Sequence, residues 1–191
     1  KEYLYSEIFK SIQGEGTYTG VHTLWLRFFM CNLQCNGFGQ LDPKNPSTYY
    51  LPYKDFDTSN IKQVEDLPVW NKGCDSSYSW AKKFKNLMSK GTPEIIANRI
   101  IECAKSDTNP NGYFKHPVSG QKSDMCFTGG EPLLRSSQTA SVEILKYFEN
   151  ISNSPRSVTY ETNGTTELSS SFVKFWQNKS LYELFFSISP K

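Results

Sequence analysis

Cys31 and Cys35, separated by three residues in Cys31-Asn32-Leu33-Gln34-Cys35, are the pair in this sequence best spaced to act on one centre. A short loop turns two such sulfurs inward without strain. Two thiolates fall short of the four protein ligands that closed zinc sites and ordinary iron–sulfur sites take. Either another residue completes the set, or one metal position is left without a protein ligand.

The chain has five cysteines and two histidines. An odd cysteine count without a secretory signature argues against a disulfide framework and for metal or catalytic use. Cys103 and Cys126 fall inside a helical and a strand pattern, where a small core thiol is the plainer reading. Cys74 follows Gly73 and precedes polar residues, so it is loop-borne and available. His22 and His116 lack a paired spacing, which leaves zinc short of a fourth ligand. Three thiolates suit a [4Fe–4S] cluster with one iron open to a substrate or cofactor.

The elements around these residues are legible from periodicity. Thr23 to Met30 is apolar at nearly every position, as a strand covered on both faces should be, with Arg27 as the exception. A charge there needs a partner or a bound anion. Before it, the glycines of Ser11-Ile12-Gln13-Gly14-Glu15-Gly16 mark a sharp turn or a close approach. Thr92 and Pro93 cap a helix that carries Ile96, Ile100 and Cys103 on its buried stripe and ends near Lys105.

A strand over 124–128 runs into Gly129-Gly130-Glu131-Pro132, and a helix with Val142, Leu145 and Phe148 follows. A strand over 157–161 ends in Thr162-Asn163-Gly164-Thr165, a helix covers 170–177, and a strand over 184–188 closes on Ser189-Pro190-Lys191. Alternating strands and helices imply an α/β fold with parallel strands and right-handed crossovers. Four polar loops then share the carboxyl edge of the strands, where such folds bind ligands.

Residues 36–73 lose all periodicity and are punctuated by Pro43, Pro46, Pro52 and Pro68. This stretch reads as an insertion in a single domain of 1–191, with a short hairpin expected around Thr48 to Leu51. Lys82-Lys83-Phe84-Lys85 reads as a solvated helix face. With 21% charged and 37% hydrophobic residues and a net charge of +2, the chain reads as globular and soluble, with no direct nucleic-acid partner expected. No run of eighteen apolar residues suggests a membrane span, and the start has no apolar signal stretch, so a cytoplasmic location is expected.

Several of these stretches together resemble the 7-carboxy-7-deazaguanine synthase family of radical S-adenosylmethionine enzymes. They are Phe9 to Gly20 with Arg27; Cys31, Asn32, Leu33 and Cys35; Cys74-Asp75-Ser76 with Tyr78-Ser79-Trp80; Thr128 to Pro132; Glu161 to Gly164; and Ser189 to Lys191. They occur in the family's order over nearly the whole chain, and the long insertion most resembles phage-borne versions.

The resemblance implies a partial, incomplete TIM-type barrel with the radical S-adenosylmethionine core. It implies a [4Fe–4S] cluster on Cys31, Cys35 and Cys74, with S-adenosylmethionine on the open iron. Cofactor contacts fall on Asp75, Gly130, Glu131, Ser189, Pro190 and Lys191. Substrate contacts fall on Ile12, Gln13, Gly14, Glu15, Arg27 and Thr128, with Arg27 facing the carboxylate of 6-carboxy-5,6,7,8-tetrahydropterin. No catalytic residue is implied beyond the cofactor-bound cluster.

The implied reaction contracts the pterin ring with loss of ammonia, in 7-deazaguanine (queuosine-type) biosynthesis. Mg²⁺ is implied at Ser76, where the family usually has threonine. An electron donor such as flavodoxin and a homodimer are implied as partners, in the host cytoplasm if the protein is phage-encoded.

Two departures from the family stand out. Phe38 occupies the position of the usual third cysteine, and thirty-eight residues, 36–73, separate Cys35 from Cys74. Loop length adds closure entropy slowly, so the spacing does not forbid a cluster. The sequence also stops at Lys191, where the C-terminal part of the family fold is expected. A glycyl-radical activase and a non-catalytic iron–sulfur or metal-binding scaffold are the rival readings.

Overall fold

The structure is a computed structural model that describes residues 1–14, 16–177 and 181–190. In chain order the elements are β1 (Tyr3–Ile12), β2 (His22–Phe28), α1 (Pro52–Asp55), β3 (Ser89–Gly91), α2 (Pro93–Ala104), β4 (Asp124–Gly129), α3 (Arg135–Asn150), β5 (Ser157–Thr162), α4 (Ser170–Gln177) and β6 (Glu183–Ile188). The strands form one six-stranded sheet in the order β3-β1-β2-β4-β5-β6.

Strands β2, β4, β5 and β6 are parallel and adjacent, as the βαβ pattern requires. Two features differ from the expected barrel. First, β1 lies antiparallel to β2 and β3 antiparallel to β1, so the sheet is mixed. The link from β1 to β2 is a turn closed by Gln13 N–H to Val21 O and Gly20 N–H to Gln13 O, both 2.8 Å, too short for a parallel crossover. Second, the sheet is open: among the described residues, β3 and β6 each pair on one side only.

Side-chain alternation gives the sheet two faces. One carries Leu24, Leu26, Phe28, Met125, Phe127, Val158 and Tyr160 into the core with Ile96 and Ile100 of α2, Leu145 and Phe148 of α3 and Phe172 of α4. Ring contacts run across the four parallel strands: Phe28 on Phe127 at 5.9 Å, Phe127 on Tyr160 at 5.2 Å and Tyr160 on Phe186 at 5.8 Å. The other face carries Arg27 beside Thr128 and Glu161 beside Ser187.

Helix α2 starts as its sequence signals, with the Thr92 side chain accepting from Ile95 N–H and Pro93 in the first turn. Cys126 is fully buried, whereas Cys103 is only half-buried at the flank of the α2 stripe that Ile96, Ala97, Ile100 and Ala104 occupy. The hairpin expected near 48–51 is replaced by a 3₁₀ turn over Pro46–Thr48, capped by Asn45, followed by α1. Pro46 and Pro52 lack the N–H a ladder needs and instead suit the first turn of a helix.

The insertion and the segment after it build a second apolar cluster from Leu51, Tyr53, Trp70, Ala81 and Phe84. Phe84 is fully buried there, while Lys82, Lys83 and Lys85 around it stay exposed. No described helix is long and apolar enough to cross a membrane.

Candidate functional site

A cleft of about 580 Å³ opens at the carboxyl edge of the parallel strands. Cys31, Cys35 and Cys74 all line it, with Arg27, Thr128, Glu161 and Ser187 from the polar face of the sheet. Gly129, Gly130, Asp75, Ser76, Asn163 and Ser189 complete the polar part of its wall. None of the five cysteines is in a disulfide.

The cysteine loop is held in an unusual backbone. Met30 and Cys35 adopt positive φ of 99° and 49°, a region non-glycine residues rarely occupy. The strain is fixed from both sides, because Met30 N–H donates to Ser79 O at 2.7 Å and Met30 O accepts from Glu131 N–H at 2.9 Å. This explains Gly129-Gly130. A Cβ on Gly130 would lie 2.2 Å from Met30 O and 2.9 Å from Cys31 Cβ, and one on Gly129 would lie 2.5 Å from Phe28 O. Here the glycines let the chain's own cysteine loop approach.

Cys74 reaches the same cleft because the insertion closes at its base. Gly73 N–H donates to Phe38 O at 2.7 Å, so Cys35-Asn36-Gly37-Phe38 meets Gly73-Cys74 directly. Gly39 packs against the backbone of Asn71, where a Cβ would lie 2.5 Å from Asn71 O. Burial raises the Cys31 thiol pKa, the Leu33 N–H bond opposes that, and neighbouring Glu131, Cys35 and Cys74 add to the rise. The Asn163 side-chain amide also donates to Cys31 Sγ, at 3.9 Å.

Glu131 is fully buried and does not line the cleft. Its carboxylate accepts from Leu133 N–H at 2.8 Å, Thr162 Oγ1 at 2.7 Å and Asn163 N–H at 2.9 Å, tying the end of β5 to the Gly-Gly turn. Arg27 has a partner inside the chain: its Nε donates to Glu7 Oε2 at 3.1 Å, and its guanidinium lies 5.9 Å from the Tyr78 ring centroid. Tyr78 in turn donates to Glu7 Oε1 at 3.2 Å. Burial opposes the Arg27 charge, but Tyr78 and Glu7 outweigh it and raise its pKa.

Ile12, Gln13 and Gly14 are not brought to this cleft. Since β1 is antiparallel, Ile12 pairs with His22 at the amino edge of the parallel strands, away from the cysteines. The expectation that these residues and Arg27 share one site is therefore not met within this chain. Glu15 and Lys191 lie outside the described residues. Pro190 is exposed and off the cleft wall, whereas Ser189 N–H donates to Thr162 O at 2.9 Å.

Glu7 stands in no motif, and Tyr78 stands in one without any link to Arg27 being legible in the sequence. The signal was Arg27 itself, a buried charge that required a counter-charge.

Among the described residues, no three His, Cys, Asp or Glu side chains form a group that could hold a metal ion by themselves. The cysteines instead border a cavity, which fits a multi-iron cluster with soft thiolate ligands better than a lone ion.

No family model matches the sequence. Three curated 7-carboxy-7-deazaguanine synthases do. The one from Archaeoglobus fulgidus is 29% identical over 136 residues, covering 71% of this chain and 39% of the relative. Those from Thermoplasma acidophilum and Hyperthermus butylicus are 26% and 23% identical, covering 86% and 97% of this chain and 48% and 50% of theirs.

This chain is similar in sequence to the 7-carboxy-7-deazaguanine synthases.

It spans about half the length of those synthases or less. The crystal structure of QueE from Escherichia coli matches all of this chain and 60% of its own, with a TM-score of 0.52 at 18% identity, a likeness of fold. Against the residues that resemblance to the synthases implies, the structure gathers Cys31, Cys35, Cys74, Asp75, Ser76, Gly130, Ser189, Arg27 and Thr128 around one cleft.

Proposed function

We propose that the cleft holds a [4Fe–4S] cluster on Cys31, Cys35 and Cys74 and binds S-adenosylmethionine at the open iron. On this reading the protein is a radical lyase that converts 6-carboxy-5,6,7,8-tetrahydropterin to 7-carboxy-7-deazaguanine. The observation that carries it is that all three thiols and Arg27 line one cleft despite the insertion between the second and third. When bound, the cluster would supply the electron that cleaves the sulfonium and starts ring contraction with loss of ammonia.

The chain's own groups bind, orient and exclude water. Arg27 uses Nε for Glu7, leaving its terminal nitrogens for the pterin carboxylate, and Thr128 stands beside it in register. The Ser76 hydroxyl bonds Asp75 Oδ1 at 2.9 Å, and that pair offers oxygen ligands to Mg²⁺. Glu131 holds the turn on which Gly130 would meet the cofactor, and Asn163 donates to Cys31 Sγ, a bond that would tune the potential of a cluster held there. A flavodoxin-type donor and a homodimer complete the proposal.

Anaerobic reconstitution tests it. The parent chain is expected to bind about four irons and Cys74→Ala markedly fewer. Equal iron in both would remove Cys74 from the ligand set. Production of 5′-deoxyadenosine and 7-carboxy-7-deazaguanine from S-adenosylmethionine and the pterin with dithionite separates an enzyme from a scaffold.

A further inference from the structure

The sulfur of Cys31 has a neighbour from far along the chain. Besides the Leu33 backbone N–H at 3.4 Å, the Asn163 side-chain amide reaches it at 3.9 Å across 132 positions. Which end of an asparagine amide faces which neighbour follows from its other bonds. Asn163 Oδ1 accepts from the Thr165 backbone N–H at 3.0 Å and from the Thr165 hydroxyl at 2.6 Å. A backbone N–H only donates, so the oxygen is on that side and Nδ2 faces the cysteine loop. Its two hydrogens have one acceptor each, Asn32 Oδ1 at 3.0 Å and Cys31 Sγ. Asn32 Nδ2 closes the ring by donating to Thr165 Oγ1 at 2.8 Å.

Asn163 is 9% exposed, whereas Asn32 and Thr165 are exposed. Water can replace the hydrogen bonds of the two exposed residues, so the ring adds little to stability. What water does not supply is a fixed direction for the buried amide. We infer that Asn32 and Thr165 are positioning residues that lock the Asn163 amide with one N–H on Cys31 Sγ. With a cluster on Cys31, that N–H stabilises the reduced, more negative state and raises the reduction potential. The lock itself stands without the cofactor reading above, whereas its effect on the potential rests on that reading.

Two measurements test the two parts. In the metal-free chain, hydrogen exchange of the Asn163 side-chain amide is followed by NMR, its signal assigned by its loss in Asn163→Ala. Asn32→Ala and Thr165→Val are expected to speed that exchange about fivefold or more. Thr165→Ser keeps the hydroxyl and is expected to exchange as the parent does. Exchange at the parent rate in both Asn32→Ala and Thr165→Val would overturn the lock, as would a Thr165→Ser variant as fast as Thr165→Val.

The iron-loaded chain is poised where the parent cluster is half reduced, and the reduced fraction is read by electron paramagnetic resonance. The reduced-to-oxidised ratio is expected to fall roughly two- to tenfold in Asn32→Ala and Thr165→Val, with Thr165→Ser at the parent value. It is taken over the cluster present, so partial loss of iron does not obscure it. An unchanged ratio in the first two would overturn the effect on the potential and leave the cofactor reading standing. A parent chain that takes up no iron would overturn that effect together with the cofactor reading, and amide exchange would still decide the lock.

Discussion

At the scale of single residues, two charges decide how the cleft is built. Glu131 is implied by the resemblance as a cofactor contact, yet its carboxylate is fully buried and accepts three protein hydrogen bonds. Arg27 looks like an unpartnered anion binder, yet Glu7 and Tyr78 already hold it. Both cases have one physical cause: a buried charge requires partners, and the chain brings most of them, Thr162, Asn163, Glu7 and Tyr78, from segments distant in sequence. Glu7→Ala leaves the largely buried Arg27 charge without its carboxylate partner, so a loss of about 2 kcal/mol is expected as a lower urea midpoint. A midpoint equal to the parent's would show that the pair contributes nothing to stability.

At the scale of elements, the site depends on how closely one loop approaches another. The Gly129-Gly130 turn after β4 accepts the Met30–Cys31 backbone where any side chain would collide. Gly130→Ala is therefore expected to cost about 3 kcal/mol, or roughly 6–12 °C in melting temperature. Iron uptake should fall with it, because Cys31 is the neighbour displaced. A stable variant with normal iron would show that the cysteine loop can shift freely. The insertion is the opposite kind of element. It closes through the Gly73 N–H to Phe38 O bond and packs around its own apolar cluster, in keeping with the slow growth of closure entropy with loop length.

At the scale of the molecule, buried tyrosines set the alkaline limit of stability. Burial is the main cause that pushes Tyr78 up to about 12, with Arg27 opposing and Glu7 adding. Burial also raises Tyr160, and it raises Tyr182 together with a hydrogen bond to Glu149. An unfolded tyrosine loses its proton near pH 10 while the folded chain keeps it, so above pH 10 the unfolded state binds fewer protons and stability falls. The urea midpoint should hold up to about pH 10 and drop between pH 10 and 12, less steeply in Tyr182→Phe. A midpoint flat across that range would contradict the placement of these rings.

By itself the sequence determined the βαβ repeat, the carboxyl-edge location of Cys31, Gly130, Thr128 and Ser189, and that Cys74 is a loop-borne thiol. These follow from hydrophobic period, turn chemistry and residue types, which are local. Only the tertiary structure decided that β1 runs antiparallel and takes Ile12, Gln13 and Gly14 to the far edge, and that the sheet stays open. The same holds for the Arg27–Glu7 pair and the neck that returns Cys74 to Cys35. Each of these is a pairing between segments far apart in sequence, fixed by strand register and burial, and no local pattern encodes a partner's position.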